Sequence, residues 1–287
     1  MNSRILLSVM LLSLMAITMV QAQHVKVMTY NIRFDNPQDG ANAWDARKEH
    51  VAEQLMFYQP AVFGIQEGLH HQVEYLDEAL PPYQYEGVGR DDGKTGGEYS
   101  AIFYDNRRFS LLRSNTFWLS DTPEEPSVGW DAAMERICTY VLLEDREHQQ
   151  PLWVFNTHFD HVGEQARYQS AQLILKKIDA VNKNGYPVVL MGDLNAEPGD
   201  PPIDTLNDRM EDAYKVTEKP PFGPEGTYNG FHFDRPVKRR IDYIFVRGAA
   251  VARYGVLSDP ENLHYPSDHF PVMAEIRIQA WESSSIE

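Results

Sequence analysis

Apolar runs that end in polar side chains are the feature that most restricts the possible folds of this chain. Runs rich in Val, Ile and Phe lead into four short polar segments, and a fifth segment precedes such a run. A strand that stops at a polar residue places that side chain at a sheet end, where a rigid backbone holds it beside a cleft. The five segments contain Asn31, Glu67, His158, Asp193 with Asn195, and Asp268 with His269.

Strand-like runs recur along the whole chain and alternate with helical patterns at 46–58 and 165–182. Several consecutive strand runs have no helix between them, which favours a mixed α/β protein with two sheets over a single doubly wound sheet. The strands are predicted at 25–32, 62–65, 100–104, 137–143, 152–157, 188–191, 241–246 and 272–278.

The first 22 residues have the composition of an export signal. Arg4 supplies a positive start, residues 5–20 form an apolar run, and VQA at 20–22 resembles a cleavage site. The run is short for a membrane span, and polar sequence follows at once. We predict a signal peptide at 1–22 and a single domain at 23–287. The protein is then exported to the periplasm or the extracellular space, without a stable membrane anchor.

Charge and cysteine content narrow the classes of partner. The formal net charge is -16, from 26 Lys or Arg and 42 Asp or Glu residues, which disfavours tight binding to polyphosphate backbones. Nucleic acid stays open as a substrate, because divalent cations and local basic residues can offset the negative potential of the acidic chain at the cleft.

Cys138 is the single cysteine, so no intrachain disulfide can form, and we predict a buried structural thiol. We expect a monomer.

The oxygen-rich segments favour a hard metal ion. Asn31 and Glu67 offer a carbonyl and a carboxylate, which suit Mg²⁺ and also Mn²⁺ or Ca²⁺. No Cys/His cluster has zinc spacing, and His70 and His71 are predicted at an exposed helix start.

Two further pairs offer acid–base chemistry. In GDLN, Asp193 and Asn195 are two residues apart, so their side chains lie on the same side of an extended chain. Asp193 can then take a proton from water while Asn195 orients that water. An Asx turn after a strand is the plain alternative. His269 follows Asp268, and a protonated imidazole there can stabilise charge on a phosphate oxygen. His158 supplies a second imidazole, although either histidine alone is more often structural.

Taken in order, these motifs resemble the endonuclease/exonuclease/phosphatase superfamily over about residues 24–278. The resemblance implies a four-layer α/β sandwich, with two packed mixed sheets flanked by helices and a site at one sheet edge. It also implies Mg²⁺-assisted in-line attack of water at phosphorus. The motifs that carry it contain Asn31, Glu67, His158, Asp193 with Asn195, Asp242, and Asp268 with His269.

The same resemblance implies a role for each oxygen-bearing residue. Glu67 would hold Mg²⁺, with Asn31 and Asp268 alongside. Asp193 would activate or orient the attacking water, and Asn195 would help to position it and the phosphate.

Histidines and an arginine complete the site that the resemblance implies. His158 and His269 would contact phosphate oxygens. Asp242 would support His269, and Glu98 would support His158, each carboxylate raising the pKa of its imidazole. Arg136 lies where the deoxyribonuclease branch has an arginine that contacts phosphate.

Three substrate classes stay open at this stage. A secreted phosphodiesterase or nuclease is the first prediction, supported by the export signal and the basic run at 238–240. The second is a phosphatase or phospholipase C-like enzyme acting on inositol phosphates, lipid headgroups or small phosphorylated metabolites. A lipid enzyme needs an exposed apolar hairpin, for which 117–119 is the candidate. The third is a noncatalytic binding protein on the same fold.

Loop-rich segments at 120–130 and 217–236 carry aromatic residues that either line a substrate groove or anchor the loops. Near His158, Asp160 and His161 either reach the substrate or cap the following helix, and capping is the prediction for Asp160. Arg167 points either to the cleft or to an acidic neighbour.

Overall fold

The computed structural model of this chain describes residues 23–278. The helices are α1 Trp44–Tyr58, α2 His70–Ala79, α3 Glu164–Val181, α4 Pro201–Asn207 and α5 Ala213–Val216, with a 3₁₀ helix at Pro37–Asn42. The strands are β1 Gln23–Asn31, β2 Val62–Gln66, β3 Tyr83–Glu86, β4 Ile102–Asp105, β5 Phe109–Trp118, β6 Ile137–Asp145, β7 Gln150–His158, β8 Val188–Asp193, β9 Glu211–Asp212, β10 Asp242–Arg247, β11 Ala250–Val256 and β12 Val272–Ile278.

Two six-stranded sheets pack face to face between layers of helices. The first sheet has the order β11-β12-β1-β2-β4-β3, and the second has the order β5-β6-β7-β8-β10-β9. Buried apolar side chains fill the space between the sheets, and two further clusters join α1 and α2 to the first sheet and α3 and α4 to the second. The predicted four-layer α/β sandwich with mixed sheets is confirmed.

The predicted helices begin and end within two residues of α1 and α3. Along α3, Ala171, Ile174 and Ile178 are buried on one face against the second sheet, as the spacing of apolar residues requires. The carboxylate of Asp131, distant in sequence, accepts hydrogen bonds from the first N–H groups of this helix. Sequence periodicity located the helix but not this cap.

Several smaller predictions also have an outcome. Cys138 is fully buried, and burial raises the pKa of its thiol, which confirms a structural role. The proposed lipid hairpin at 117–119 is wrong, because Phe117, Trp118 and Leu119 are all buried. His71 is exposed at the start of α2, as predicted, whereas His70 is half-buried. The predicted signal peptide at 1–22 lies outside the described residues, and among those described no helix has the length and apolarity to cross a membrane.

A buried asparagine joins the two sheets near the site. The Nδ2 of Asn156, on β7, donates to Ile65 O at 2.8 Å and to Ala101 O at 2.9 Å. Its Oδ1 accepts from Gln66 Nε2 at 2.6 Å. This approach requires glycine at position 64, since a Cβ on Gly64 would lie 2.4 Å from Asn156 Cγ.

Replacing Gly64 by Ala is therefore expected to lower the free energy of unfolding by about 2 kcal/mol, the usual scale for overpacking a core. Urea denaturation measures the change. Gly255→Ala is the matched control, because the nearest heavy atom to a Cβ there is 3.6 Å away. Equal losses in the two variants would contradict a special close approach at Gly64.

Candidate active site

Strand direction brings the sequence-predicted residues to one edge of the sandwich. The parallel pairs β1–β2 and β7–β8 end at this edge, while β10 and β12 run antiparallel to β8 and β1 and begin there. Across the second sheet, Asp193 is paired in register with His158 on one side and with Asp242 on the other. The site therefore forms where strands of both sheets end.

Asp193 lies at the centre of the site and is almost fully buried. Its Oδ2 accepts a hydrogen bond from Asn31 Nδ2 at 3.0 Å and lies 3.4 Å from His158 Nε2 and 3.7 Å from His269 Nε2. Its Oδ1 accepts from the backbone N–H of Asn195 at 2.9 Å. Burial, followed by the charge of Asp242, raises the pKa of Asp193 to about 7.

Two further carboxylates face the same space from the first sheet. Glu67 Oε1 accepts from Asn31 Nδ2 at 3.0 Å, and its Oε2 accepts from Phe34 N at 3.1 Å. The guanidinium of Arg33 lies 3.9 Å from both Glu67 Oε2 and Asp268 Oδ2. Burial, with the charge of Glu67 adding to it, raises the pKa of Asp268 to about 6. Negative charge is therefore crowded in this half of the site.

The donor set fits a hard divalent cation. Glu67, His158 and Asp193 each offer a ligand atom within 4.8 Å of the others. Burial raises the pKa values of Asp193 and Asp268, and a bound cation would favour their charged forms. The predicted metal ligands Glu67 and Asp268 each lie 3.9 Å from the Arg33 guanidinium. Which metal binds there stays a prediction.

Asn31 has a different orientation from that of a simple metal ligand. Its amide nitrogen points at both Glu67 and Asp193, while its Oδ1 accepts from Arg33 N at 3.0 Å. The side chain therefore holds two carboxylates in place. Direct ligation of a metal by Asn31 stays a prediction.

His269 and Asp242 form the expected pair. His269 Nδ1 lies 2.8 Å from Asp242 Oδ2. Burial opposes a charge on the ring, but Asp242 and Asp193 outweigh it and raise the pKa of His269 well above its usual value. The ring of Tyr228 packs edge-on against His269, with centroids 5.1 Å apart. Tyr228 thus brings one of the loop aromatics to the site mouth, a contact that the sequence left open.

For His158, the expected effect of Glu98 is wrong. Glu98 Oε2 is 3.9 Å from His158 Nδ1, and Arg90 holds this carboxylate with two hydrogen bonds of 2.7 and 2.9 Å. Burial, then the charges of Arg136 and Arg90, lower the pKa of His158 well below its usual value. Asn195 Nδ2 lies 3.1 Å from His158 Nε2.

Arg136 is buried between two groups that follow His158 in sequence. Its Nε donates to Asp160 Oδ2 at 3.3 Å, and its Nη2 lies 2.9 Å from His161 Nδ1. Its Nη1 is buried and has no partner among the described residues. The phosphate contact of Arg136 stays a prediction. Asp160 also accepts from two backbone N–H groups in the turn before α3, the structural role that the sequence favoured. Arg167 Nη1 donates to Asp160 O.

Backbone strain marks the same site. Arg33, Glu67 and Asn195 have φ angles of 56°, 65° and 45°, although none is glycine. Such left-handed residues cost about 1–3 kcal/mol each and concentrate at functional sites. Glu67 and Asn195 each follow the end of a strand, and the left-handed backbone there directs the side chain into the site. No sequence pattern predicted these backbone angles.

The profile of the Endonuclease/Exonuclease/phosphatase family matches residues 28–269. This chain belongs to that family. Membership places it among hydrolytic phosphoesterases, whose members include nucleases and phosphatases. It agrees with the resemblance drawn from the ordered motifs.

Solved structures of similar proteins cover nearly the whole described chain. A family member from Bacteroides thetaiotaomicron is 36% identical, with a TM-score of 0.87, and the match covers 90% of this chain and 99% of that one. A mannosyl-6-phosphatase from the same species is 37% identical, with a TM-score of 0.84 and coverage of 88% and 99%.

A more distant relative is a nuclease. The 3'-5'-exoribonuclease subunit of the CCR4-Not complex from Mycosarcoma maydis is 21% identical over 344 residues, covering 90% of this chain. This chain spans 51% of that subunit's length.

Proposed function

We propose that this protein is a hydrolase of phosphate esters that depends on a divalent metal ion, with Mg²⁺ the expected ion and Mn²⁺ or Ca²⁺ the alternatives. The observation that carries the proposal is the position of Asp193, a buried carboxylate within 4 Å of two histidines and hydrogen-bonded to an amide that also holds Glu67. A noncatalytic role would not require this convergence.

Residues from both sheets contribute to the proposed reaction. Glu67 and Asp268 would hold the cation, which when bound supplies a Lewis acid for a phosphoryl oxygen. Asp193 would accept a proton from the attacking water, because its carboxylate lies at the centre of the site and is held there by Asn31 Nδ2 and Asn195 N. His269 would donate from Nε2 to a phosphoryl oxygen, since Asp242 holds its Nδ1 and favours the charged ring.

For the substrate, we favour the phosphate monoester of a sugar. The mannosyl-6-phosphatase is 37% identical and matched over 99% of its length, whereas the exoribonuclease subunit is 21% identical and matched over half. The net charge of -16 also disfavours a polyanionic strand. Nucleic acid or another phosphodiester, the first choice from sequence, is the second candidate because a nuclease relative exists.

Export belongs to the same proposal. It is supported by the charged start, apolar run and small-residue site in residues 1–22. Intact-mass measurement of protein recovered outside the cytoplasm would find a chain that begins at Gln23. A full-length chain in the cytoplasmic fraction would contradict export.

Hydrolysis of four compounds tests the proposed function. Residues 23–287 are incubated with mannose 6-phosphate, 4-nitrophenyl phosphate, bis(4-nitrophenyl) phosphate and a single-stranded RNA, in Mg²⁺ or in EDTA. We expect Mg²⁺-dependent turnover of the monoesters at least about tenfold faster than that of the diesters. Faster diester cleavage would support the second candidate. No metal-dependent hydrolysis of any compound would contradict the proposed function.

A further inference from the structure

A concavity of about 420 Å³ opens between the first turns of α3 and α4. This volume lies within the roughly 300–1,000 Å³ range of small-molecule sites. One wall belongs to the segment that follows His158, and the other to the segment that follows Asn195. Its lining includes Glu164, Gln165, Arg167, Tyr168, Asp200 and Pro201.

The first wall is joined directly to the catalytic edge. Arg167 lines the concavity, and its Nη1 donates to Asp160 O at 3.0 Å. Asp160 is two residues beyond His158, and two residues of chain span at most about 7 Å. One hydrogen bond thus ties the first wall to the segment that leaves the catalytic edge at His158.

The second wall starts at the same edge. Asn195 Nδ2 donates to Phe159 O at 3.0 Å, which ties the segment after β8 to the segment after β7. Beyond this tie, the two segments separate and lead into α4 and α3, and the concavity lies between the two helix starts. Asp200, at the start of α4, accepts from Glu197 N at 2.7 Å, which fixes its position.

The lining suits a neutral ring that carries several hydroxyl groups. Glu164, Asp200 and Gln165 offer side-chain oxygens that accept hydrogen bonds from hydroxyls, and Tyr168 and Pro201 offer ring faces for C–H groups. A second phosphate is disfavoured, because Glu164 and Asp200 line the concavity and Nη1 of the lining cation, Arg167, already donates to Asp160 O. The first N–H groups of α3 are also occupied by a carboxylate from elsewhere in the chain.

We propose that this concavity is the subsite for the sugar ring of a phosphorylated sugar whose phosphate lies at the catalytic edge. The inference rests on the proposed function and adds the place and the chemistry of leaving-group recognition. Glu164 and Tyr168 are the specificity-determining residues. Neither belongs to the metal-binding or water-activating set.

Two substrates separate sugar recognition from hydrolysis. Glu164→Gln and Tyr168→Leu are each compared with the unchanged protein on mannose 6-phosphate and on 4-nitrophenyl phosphate, which has no sugar. Glu53→Gln is the matched control, an exposed helical glutamate on the opposite face of the sandwich. We expect KM for mannose 6-phosphate to rise about tenfold in both variants, with kcat within about twofold and no change on 4-nitrophenyl phosphate.

Each other outcome overturns the subsite. Equal changes on both substrates would show a general effect on the site, and no change on either would show that the concavity is not used. If the unchanged protein hydrolyses neither compound, the proposed monoester substrate fails, and calorimetry of mannose 6-phosphate binding decides the subsite. Equal affinity in the unchanged protein and Glu164→Gln, or no binding, would then reject it.

Discussion

Replacing Asp193 by Asn is expected to lower kcat at least about a hundredfold and to leave the fold intact. Asn has the same shape and keeps an oxygen to accept the hydrogen bond from Asn195 N, but it cannot take a proton from water. Steady-state kinetics on the fastest substrate, with circular dichroism of both proteins, measures the effect. A kcat within threefold of the unchanged protein would remove Asp193 from the mechanism.

Asp193→Asn should keep or raise the free energy of unfolding at pH 8, whereas a damaged fold would lower it. The pKa of Asp193 is raised in the folded protein, so the folded state binds more protons than the unfolded state between about pH 4 and pH 7. In EDTA, stability from this group therefore falls as pH rises through that window. Asp193→Asn removes this dependence and should be at least as stable as the unchanged protein at pH 8.

Asp121→Asn provides the control for that comparison. Asp121 is exposed in the loop between β5 and β6, and the exchange removes the same charge without touching the site. Its kcat and its pH dependence of Tm should match those of the unchanged protein. If Asp193→Asn were less stable than this control at pH 8 in EDTA, the crowding of negative charge at the site would not be the dominant effect.

Central strands were predictable from the sequence, and edge strands were not. The strands β2 and β8 are buried along their whole length, so their sequences are continuous apolar runs. The unpredicted strands β3, β5, β9 and β11 are the four outer strands of the two sheets. In β5, exposed polar residues such as Arg113 and Asn115 interrupt the apolar pattern because one side of the strand faces solvent.

Site residues were predictable where a sequence motif lies at the end of a strand, and they were not where their role depends on contacts formed by loop folding. Residues at strand ends, such as Asp193 and His269, were found because the motif and the end of the strand coincide. Arg90 was missed, since it lies in an irregular loop and reaches Glu98 only through the folding of that loop. The pKa of His158 depends on Arg90 and Arg136, so its direction required the three-dimensional structure.

Replacing Glu67 by Gln is expected to weaken Mg²⁺ binding at least about tenfold, as judged by the Mg²⁺ concentration that gives half-maximal activity. Glu67 combines a carboxylate aimed at the site with a strained backbone, and a neutral amide retains the size but not the charge. At low Mg²⁺ concentration the rate should therefore fall, and at saturating Mg²⁺ much of it should return. Glu78→Gln, an exposed glutamate on α2, is the matched control.

Thermal stability gives a second measure of the same prediction that does not depend on turnover. A ligand that binds only the folded state stabilises it by about 2.7 kcal/mol at a concentration of 100 Kd. A tenfold loss of affinity removes about 1.4 kcal/mol of that gain, so Mg²⁺ should raise Tm less in Glu67→Gln than in Glu78→Gln. If calorimetry and Tm both showed unchanged Mg²⁺ affinity, Glu67 would not be a ligand. The metal would then depend on the other proposed ligand, Asp268.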